Sequence, residues 1–352
     1  MDQSPAQQDN PAHGQHDPRG APATASVGQP GDPLEHRHDS ARGRQPGHRR
    51  QYAVLFGLLA SLATVLGGAA IAHAADDPAP GALTLAMAVL LGAVQGITEF
   101  LPISSDGHLA LGQALLGRSG AAGGHRFTIV VHAGTLLAVI WTYRADLIAL
   151  ARSGLHPTKD SQDRRLLLAM LVASLPLGLA VLPGVETAVI AMESQLRWVG
   201  FWLWVSGAAL WIGFRQERRH PPQTPGALPT LKQALLIGLA QVTAILPGLS
   251  RSGTTIGTAL FLGLDRATAA RFSFLISVIA VSGAVAKEGL GLVLGEAEAA
   301  PQDLSPYLAG FATSLVVGLV ALRGLLLLIS RGRVMGFVVY LGIVGAIAFA
   351  FG

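Results

Sequence analysis

Apolar residues dominate the chain from residue 53 to the C-terminus, and short polar stretches divide them into runs. A helix needs about 17–25 predominantly apolar residues to cross the hydrocarbon core of a bilayer. Six runs reach that length: 127–143, 166–183, 198–214, 272–294, 306–330 and 334–351. The pattern therefore predicts an all-α, polytopic membrane protein with six spanning helices.

Two further pairs of apolar runs are each interrupted by a stretch rich in proline, glycine and serine, and they include segments too short to span. The pairs are 83–94 with 109–116, and 231–246 with 255–264. Short, broken apolar segments are typical of re-entrant helix hairpins, because irregular backbone at membrane depth is tolerated only inside the protein or along a polar cavity. The sequence thus predicts two such hairpins.

The two hairpins resemble each other. A shift of 146 positions pairs Gly92 with Gly238, Gln95 with Gln241, Ser104 with Ser250, Gly107 with Gly253, Leu116 with Leu262 and Gly117 with Gly263. Basic loops at 144–165 and 215–232 are expected in the cytoplasm, and acidic loops at 184–197 and 295–305 outside. Three spans then separate the hairpins, which predicts an inverted repeat whose two tips meet near the membrane midplane.

A separate segment precedes this region. Residues 1–50 are polar and cannot bury enough apolar surface to fold, so we expect them to be disordered. Residues 51–82 contain an apolar run at 53–74 that follows two arginines, which predicts an extra N-terminal helix, either a signal anchor or a signal peptide, with a linker. The membrane domain is predicted to cover residues 83–352.

Composition agrees with a membrane protein. The 352 residues are 51% hydrophobic and 13% charged, with a mean hydropathy of +0.47, whereas soluble domains carry about 25% charged residues. The net charge of +4 is attributed to cytoplasmic loops rather than to nucleic-acid binding. The chain has no cysteine, which excludes disulfides, thiolate nucleophiles and thiolate metal sites.

The first break carries polar side chains that a bilayer disfavours, and such residues usually have a function. Glu99 can bind a divalent cation or accept a proton, and Ser104 and Ser105 are potential nucleophiles. On a helix beginning near Ser104, His108 shares a face with Ser105, as an activated Ser–His pair requires. Asp106 could orient His108 or bind metal. The alternative is that Ser104 only caps the helix and His108 only packs.

The second break places Arg251 among the hydroxyl groups of Ser250, Ser252 and Thr255. An arginine beside a helix N-terminus is suited to binding a phosphate group. The alternative is a capped helix start in which Arg251 pairs with a carboxylate such as Glu99. Taken together, the two breaks predict one composite site with an acid, a hydroxyl and an imidazole on one side and a cation on the other.

Both breaks resemble signature motifs of the undecaprenyl-pyrophosphate phosphatase family of the bacitracin-resistance type. The motifs are Gln-Gly-Ile-Thr-Glu-Phe-Leu-Pro-Ile-Ser-Ser-Asp-Gly-His at 95–108 and Pro-Gly-Leu-Ser-Arg-Ser-Gly-Thr-Thr at 247–255. The resemblance covers about residues 83–352. It implies hydrolysis of undecaprenyl diphosphate to undecaprenyl phosphate and inorganic phosphate, which recycles the lipid carrier of peptidoglycan synthesis and confers bacitracin resistance. It also implies a bacterial plasma (inner) membrane location, with the site open to the extracytoplasmic face.

The resemblance further implies the roles of individual residues. Glu99 is the essential acid, Ser105 the nucleophile or a phosphate ligand, His108 the general acid/base and Arg251 the phosphate clamp. The remaining phosphate-binding residues are Ser104, Ser250, Ser252 and Thr255. A divalent cation, Mg²⁺ or Ca²⁺, is expected at Glu99, Gln95 and Asp106.

Three residues depart from the commonest family pattern. Gln95 stands where many members have glutamate, Asp106 where serine or threonine is usual, and His132 where glutamine is common. Gln95 supplies no charge to a metal, and Asp106 could restore the lost carboxylate. His132 lies in the predicted span at 127–143, either lining the same cavity or packed within the bundle.

Other functions remain open at this stage. An inverted-repeat transporter of lipid phosphates or anions would use Arg251 in the same way, although transport does not need a Ser–His pair. A structural membrane protein and a phosphatase for shorter polyprenyl or soluble diphosphates are further alternatives. Attack by Ser105 and direct attack by water are equally compatible with the sequence, as is a homodimer.

Overall fold

The computed structural model describes residues 83–115, 122–155, 161–193, 195–294 and 303–351. Every regular element in these ranges is a helix, and no β-strand occurs within them. The all-α prediction is therefore confirmed for the part of the chain that is described. The predicted disordered tail (1–50) and the predicted anchor helix with its linker (51–82) lie outside the described residues.

The first predicted hairpin consists of helices α1 (Leu85–Thr98) and α2 (Ser105–Leu115), which pack against each other. Helix α1 begins after Thr84, whose hydroxyl accepts a hydrogen bond from the backbone N–H of Met87 at 3.2 Å. Pro102 lies in the break, where its missing N–H prevents the helix from continuing. The helix break that the sequence predicts between α1 and α2 is therefore present.

Helix α3 (Ala122–Thr142) is followed by α4 (Arg144–Leu155), and the two axes differ by 78°. Residues 144–155 were expected to belong to a cytoplasmic loop, but they form a helix. An ion pair between Arg271 and Asp146 holds α4 against a later helix, and Leu150 is buried. One buried apolar residue and one ion pair leave too weak a periodic pattern to be recognised in the sequence.

Helix α5 (Gln162–Ser174) continues as a 3₁₀ helix at Leu175–Val181 and is followed by α6 (Val185–Glu193) and α7 (Leu196–Arg219). The Ser161 hydroxyl caps α5 by accepting from the Arg164 backbone N–H at 3.2 Å. These helices carry the chain from the first hairpin to the second.

The second hairpin consists of α8 (Leu231–Thr243) and α9 (Arg251–Phe261), which also pack against each other. Ser250 caps α9, since its hydroxyl accepts from the Gly253 backbone N–H at 3.1 Å. In the break, Gly248 has a φ of +95°, and a Cβ atom there would collide with the backbone oxygen of Val199. Only glycine meets both conditions, which explains its position in the tip.

The last three helices are α10 (Arg266–Leu294), α11 (Ser305–Ser330) and α12 (Met335–Phe351). Among the described residues, three stretches are long and apolar enough to cross a membrane, and four if the bent α3–α4 pair counts as one span: Gln162–Val181, Arg266–Gly291 and Ser305–Ser330, with Arg126–Thr142 plus Arg144–Leu155. The chain is therefore a helical, multi-pass membrane protein.

Two of the six predicted spans are not among these stretches. Helix α12, at the predicted span 334–351, is apolar but only 17 residues long. Helix α7 contains the predicted span 198–214, and its four tryptophans are residues that favour the membrane interface. Length and hydropathy alone therefore support fewer spans than the six that the sequence predicts.

Each hairpin is anchored through a glycine of its first helix. A Cβ atom on Gly92 of α1 would lie 2.6 Å from the backbone oxygen of Gly310 of α11, so the two helices touch along their backbones. Gly238 of α8 approaches the backbone of Ala173 of α5 in the same manner. Close helix approach through small residues is common between membrane helices. These contacts fix where the two breaks lie.

Candidate active site

The two helix breaks meet, and their contact is an ion pair between Arg251 and Glu99. The Glu99 side chain is 5% exposed and the Arg251 side chain 22% exposed. Glu99 follows the last residue of α1 and Arg251 is the first residue of α9, so each hairpin contributes one charge. The ion pair that the sequence offered as an alternative for Arg251 is thus present.

Backbone contacts hold the two tips together around this pair. The Ser252 hydroxyl donates to the backbone oxygen of Leu101 at 3.3 Å. A Cβ atom on Gly107 would lie 3.4 Å from Gly248, and one on Gly253 would lie 3.3 Å from Pro102. Gly107, which follows the first break, thus contacts the second break, and Gly253, which follows the second break, contacts the first. Both hairpins therefore contribute to the site.

The Glu99 carboxylate is the centre of a hydrogen-bond network. Its Oε2 accepts from the Ser105 hydroxyl at 2.6 Å and from the Gln95 Nε2 at 3.1 Å. Gln95 is completely buried, and its Nε2 also lies 3.4 Å from the Thr135 hydroxyl. A hydrogen bond to a carboxylate orients the serine oxygen and polarises its O–H bond. Ser105 and Glu99 therefore have the geometry of a hydroxyl and its proton acceptor.

His132 completes this side of the site. Its Nε2 lies 3.5 Å from Glu99 Oε2 and 3.4 Å from Asp106 Oδ1. Its Nδ1 lies 2.8 Å from the backbone oxygen of Thr128, and because a carbonyl only accepts, Nδ1 carries a proton. The second nitrogen of His132 therefore faces the site, which answers the question that the sequence left open for this residue.

His108 turns away from Ser105. Its Nδ1 donates to the backbone oxygen of Ser104 at 2.7 Å, and its Nε2 lies 2.6 Å from the Tyr340 hydroxyl on α12. The rings of His108 and Tyr340 are stacked with centroids 5.6 Å apart. The expected hydrogen-bonded Ser105–His108 pair is not formed, because the Ser105 hydroxyl binds Glu99 while the imidazole binds α12. Sharing a broad helix face did not bring the two polar atoms together.

Ser104 has an unusual backbone. Its φ of 69° makes it the one non-glycine residue with a left-handed conformation among the described residues. Such a conformation costs about 1–2 kcal/mol for a residue with a Cβ atom. Strained residues of this kind concentrate at functional sites. Its hydroxyl lies 3.4 Å from the Gly107 backbone N–H, so the predicted cap is present but long.

The hydroxyl groups of the second tip differ in what they contact. The Ser252 and Ser250 hydroxyls lie 3.3 Å apart, and that of Thr255 is 2.6 Å from the Ser273 hydroxyl. Ser206 of α7 accepts from the Ser250 backbone N–H at 2.6 Å and fixes the tip. Neither Ser252 nor Thr255 lines the cavity next to Arg251. Their hydroxyl groups contact other parts of the protein instead.

A cavity of about 320 Å³ opens from the ion pair. Its polar end is formed by both tips and by α3, and the residues are Glu99, Ser104, Ser105, Asp106, His132, Ser250 and Arg251. Its other walls are mainly apolar. A cavity that joins a cation and hydroxyl groups to an apolar wall suits a ligand with a phosphate head and a hydrocarbon tail.

The sequence profile of the bacitracin resistance protein BacA family matches residues 88–347, which include both tips. The chain belongs to the bacitracin resistance protein BacA family. Many curated relatives that match the chain are named undecaprenyl-diphosphatase, which supports this family assignment. One from Korarchaeum cryptofilum is 41% identical over 276 residues, covering 75% of this chain and 97% of the relative. One from Christiangramia forsetii is 35% identical over 265 residues, covering 75% and 97%.

Side-chain oxygen atoms at and beside the polar end of the cavity suit the divalent cation that the family resemblance leads us to expect. Gln95 Oε1 is buried without a hydrogen-bond partner, and the carboxylates of Glu99 and Asp106 flank His132. Buried polar atoms normally have a partner, so the Gln95 amide oxygen is available as a ligand, although Gln95 does not itself line the cavity. No group of three His, Asp or Glu side chains forms a metal site within the described ranges. Mg²⁺ typically uses one or two carboxylates together with substrate phosphates, and Glu99 and Asp106 are carboxylates that line the cavity.

Several residues that shape this BacA-family site were not found from the sequence. Ser206, Thr135 and Ser273 are buried hydroxyls in apolar helices, and Tyr340 is the partner of His108. A serine or threonine in a membrane helix usually bonds to its own backbone, so its presence carries little information. Tyr340 lay in a predicted span, where a tyrosine could have been singled out because its hydroxyl needs a partner.

Proposed function

We propose that this chain hydrolyses undecaprenyl diphosphate to undecaprenyl phosphate and inorganic phosphate. The observation that carries the proposal is the junction of Glu99, Ser105 and Arg251 at the polar end of an amphipathic cavity. Membership in the BacA family and the printed names of the relatives support the same substrate. The apolar walls suit the first isoprene units of the lipid, and Arg251 suits its phosphates.

Arg251 binds the non-bridging oxygens of the terminal phosphoryl group in this proposal. Its guanidinium is paired with Glu99 in the free protein. An incoming diphosphate competes for that guanidinium and releases the carboxylate for a role in the reaction. Phosphoryl transfer passes through a loose, highly charged transition state, so a fixed cation at this point lowers the barrier directly. The hydroxyls of Ser104 and Ser250 line the cavity as further donors.

Ser105 is the proposed nucleophile. Its oxygen attacks the terminal phosphorus while the bond from that phosphorus to the bridging oxygen breaks, and undecaprenyl phosphate leaves. The hydroxyl proton passes to Glu99 Oε2, 2.6 Å away. Glu99 gives this proton to the departing phosphate oxygen of the lipid and is a carboxylate again. Water then attacks the phosphoserine as Glu99 takes its proton; the phosphorus–Ser105 oxygen bond breaks, inorganic phosphate leaves, and Glu99 returns the proton to the serine oxygen. Direct attack by a water held by Glu99 remains the second route, and it needs no covalent intermediate.

His108 retains the predicted role of general acid/base only if its ring leaves its present partners. In the described conformation, it binds Ser104 and Tyr340 rather than the cavity. We therefore propose that it first acts as a positioning residue, since its Nδ1 proton holds the carbonyl of the strained residue Ser104. Ser252 and Thr255, which were expected to bind phosphate, are proposed to support the tip from behind.

A divalent cation is proposed at Glu99, Asp106 and the free Oε1 of Gln95. When bound, it neutralises the charge of the phosphoryl oxygens. The three side chains contribute two negative charges and one neutral oxygen, so substrate phosphates would supply the remaining ligands. Gln95 supplies the oxygen and, through Nε2, also orients Glu99.

The proposed topology has six spans and two re-entrant hairpins in an inverted repeat. Two equivalent features of the hairpins support it: Gly92 and Gly238, which are 146 positions apart, are both sites of close helix approach. The loop charges support an orientation in which the first hairpin enters a bacterial plasma membrane from the extracytoplasmic side. Cysteines introduced at Asp303 and Thr224 should react with impermeant reagents from outside and inside, respectively. Labelling of position 303 from the cytoplasm would overturn this topology.

The same reaction regenerates the lipid carrier of peptidoglycan precursors, and we propose that it raises resistance to bacitracin. The test is phosphate release from undecaprenyl diphosphate by purified protein supplied with Mg²⁺, compared with the Arg251→Ala variant. Release should depend on Arg251. If the wild-type protein bound the lipid diphosphate but released no phosphate, transport of a lipid phosphate would replace hydrolysis as the leading function.

A further inference from the structure

The cavity extends well beyond the two tips. One wall is a face of α10, where Ala280, Val281, Ala284 and Val285 follow the one-turn spacing of a helix face. Ile129 of α3 and Ile245 of the second tip also line it. The cavity therefore has an apolar wall that follows α10 toward the C-terminal end of that helix.

A second cation lines the same cavity, about one helical turn after Ala284 on α10. Lys287 lines the cavity and is exposed at the surface. It stands seven positions after Ala280, which corresponds to about 10 Å along a helix. Arg251 and Lys287 are the two lysine or arginine residues among the described residues that line the cavity. The sequence motifs do not include Lys287, and its position becomes meaningful only through the fold.

We propose that Lys287 is a second phosphate-binding residue, which holds a phosphate group at the outer mouth of the cavity. This inference rests on the proposed hydrolysis and topology, which place the C-terminal end of α10 at the extracytoplasmic surface. The ligand is either the head group of the arriving lipid diphosphate or the departing inorganic phosphate. Both carry the same chemistry, a tetrahedral phosphate with several acceptor oxygens.

The chemistry of lysine suits this position. Its ammonium group is a compact charge with three donors on a flexible stem, so it can bind a phosphate without the fixed geometry that a guanidinium fork requires. A cleft with low-dielectric walls focuses the field of such a charge and raises the rate at which an anion is captured. The cavity residues of α10 before Lys287 are apolar, so on this wall Lys287 is the group that can hold a phosphate.

The first experiment compares Lys287→Gln with Lys287→Arg in purified protein. If Lys287 captures the arriving head group, Lys287→Gln should lower kcat/KM about three- to tenfold, through KM, with kcat within about twofold of wild type, and it should weaken the dependence of kcat/KM on ionic strength. Lys287→Arg should restore both quantities. The matched control is Lys232→Gln, which removes a lysine from the first turn of α8, outside the cavity. Melting temperatures of all variants should agree.

A second measurement identifies the source of the phosphate. If Lys287 holds the departing product, the inhibition constant for inorganic phosphate rises in Lys287→Gln while KM for the lipid stays unchanged. If it holds the arriving head group, KM changes and phosphate inhibition does not. The proposal is overturned if neither constant changes, or if Lys232→Gln has the same effect as Lys287→Gln.

A non-cleavable ligand separates this inference from the proposed hydrolysis. The probe is a polyprenyl methylenediphosphonate, whose affinity is measured without turnover. If wild type releases no phosphate, but binds the probe at least threefold more tightly than Lys287→Gln, the Lys287 site stands and hydrolysis falls. If wild type hydrolyses the lipid and neither probe affinity nor phosphate inhibition depends on Lys287, the site falls alone. If wild type neither hydrolyses nor binds, both are overturned.

Discussion

Glu99 and Arg251 are 152 positions apart in the chain and form an ion pair where the two helix breaks meet. Each charge alone would be costly inside an apolar bundle. Together they neutralise each other in the free protein, while Ser105 and Gln95 occupy the second carboxylate oxygen. The pair therefore joins the two hairpins and brings together the two charged groups to which the proposed reaction assigns a role.

The first prediction concerns activity. Glu99→Gln keeps the shape of the side chain but removes its ability to accept the Ser105 proton, so phosphate release should fall at least about a hundredfold. Ser105→Ala should fall by a similar factor if Ser105 is the nucleophile. Acid quenching of wild type with labelled substrate should then trap label on Ser105. Loss of activity in Ser105→Ala without trapped label would favour direct attack by water.

The ion pair also predicts a coupling in stability. Each single variant, Glu99→Gln or Arg251→Gln, leaves the other charge without its partner, whereas the double variant leaves neither charged. The double variant should therefore be more stable than the sum of the single effects predicts, by about 1–3 kcal/mol. Unfolding followed in detergent for the four proteins gives this coupling. Additive effects would show that the pair contributes to catalysis only.

Sequence reasoning recovered the features that leave a mark on the chain itself. Proline and glycine define both breaks, and polar residues in apolar surroundings mark the site, so Glu99 and Arg251 could be placed opposite each other. It did not recover the direction of side chains. Ser105 and His108 share a helix face, yet the Ser105 hydroxyl contacts Glu99 and the His108 imidazole contacts Tyr340. Nor could it find Lys287, because the packing of α10 against α3 defines that part of the cavity.

Ser104 provides a test of strain in the first tip. Its φ of 69° suits glycine, so Ser104→Gly should be more stable than Ser104→Ala by about 1 kcal/mol. Both variants lack the hydroxyl, and any loss of substrate affinity that they share reports on phosphate binding by that group. Melting curves and KM values for both give the two answers separately. An alanine variant as stable as the glycine variant would contradict the strained backbone.

Gly248 and Gly263 have nearly the same φ but different surroundings, so an alanine at each position distinguishes backbone strain from packing. Gly248 has a φ of +95° and faces the backbone of Val199, whereas Gly263 has a φ of +92° and open space around its Cα. Gly263→Ala should lose about 1 kcal/mol from backbone strain alone. Gly248→Ala should lose about 1–3 kcal/mol more from the clash and should reduce activity, because the tip must move. Equal losses would mean that the break can relax around a methyl group.

Removal of the divalent cation should stop phosphate release, and Mg²⁺ should restore it. Asp106→Asn keeps the shape but removes one charge, so it should raise the Mg²⁺ concentration needed for half-maximal activity about tenfold or more. Direct Mg²⁺ titration by calorimetry provides a readout without turnover. Gln95→Glu adds a carboxylate and should shift the titration the other way. Full activity in chelator would exclude this metal requirement.

At the Asp265 carboxylate, burial raises the pKa, but hydrogen bonds from Thr268, Gly226 and Ala267 outweigh it and lower the pKa below 3.8. This carboxylate caps the N-terminus of α10 and also accepts a hydrogen bond from the backbone N–H of Gly226, in the loop before α8. Because the folded pKa is the lower one, the stabilisation is present above about pH 4 and is lost as pH falls through the folded pKa. Asp265→Ala should cost about 1 kcal/mol at pH 7. The difference from wild type should shrink at pH 3 in melting experiments.

His108 distinguishes a positioning role from an acid/base role. Asparagine places an N–H close to the position of Nδ1, so His108→Asn can keep the bond to the Ser104 carbonyl, while His108→Gln reaches toward Tyr340 instead. If His108 acts by holding the tip, the asparagine variant should retain activity within about tenfold of wild type and the glutamine variant should lose more. Tyr340→Phe, which keeps the ring stack, should then have a small effect. Equal and large losses in both His108 variants, with an altered pH profile, would instead establish the acid/base role that the family resemblance implies.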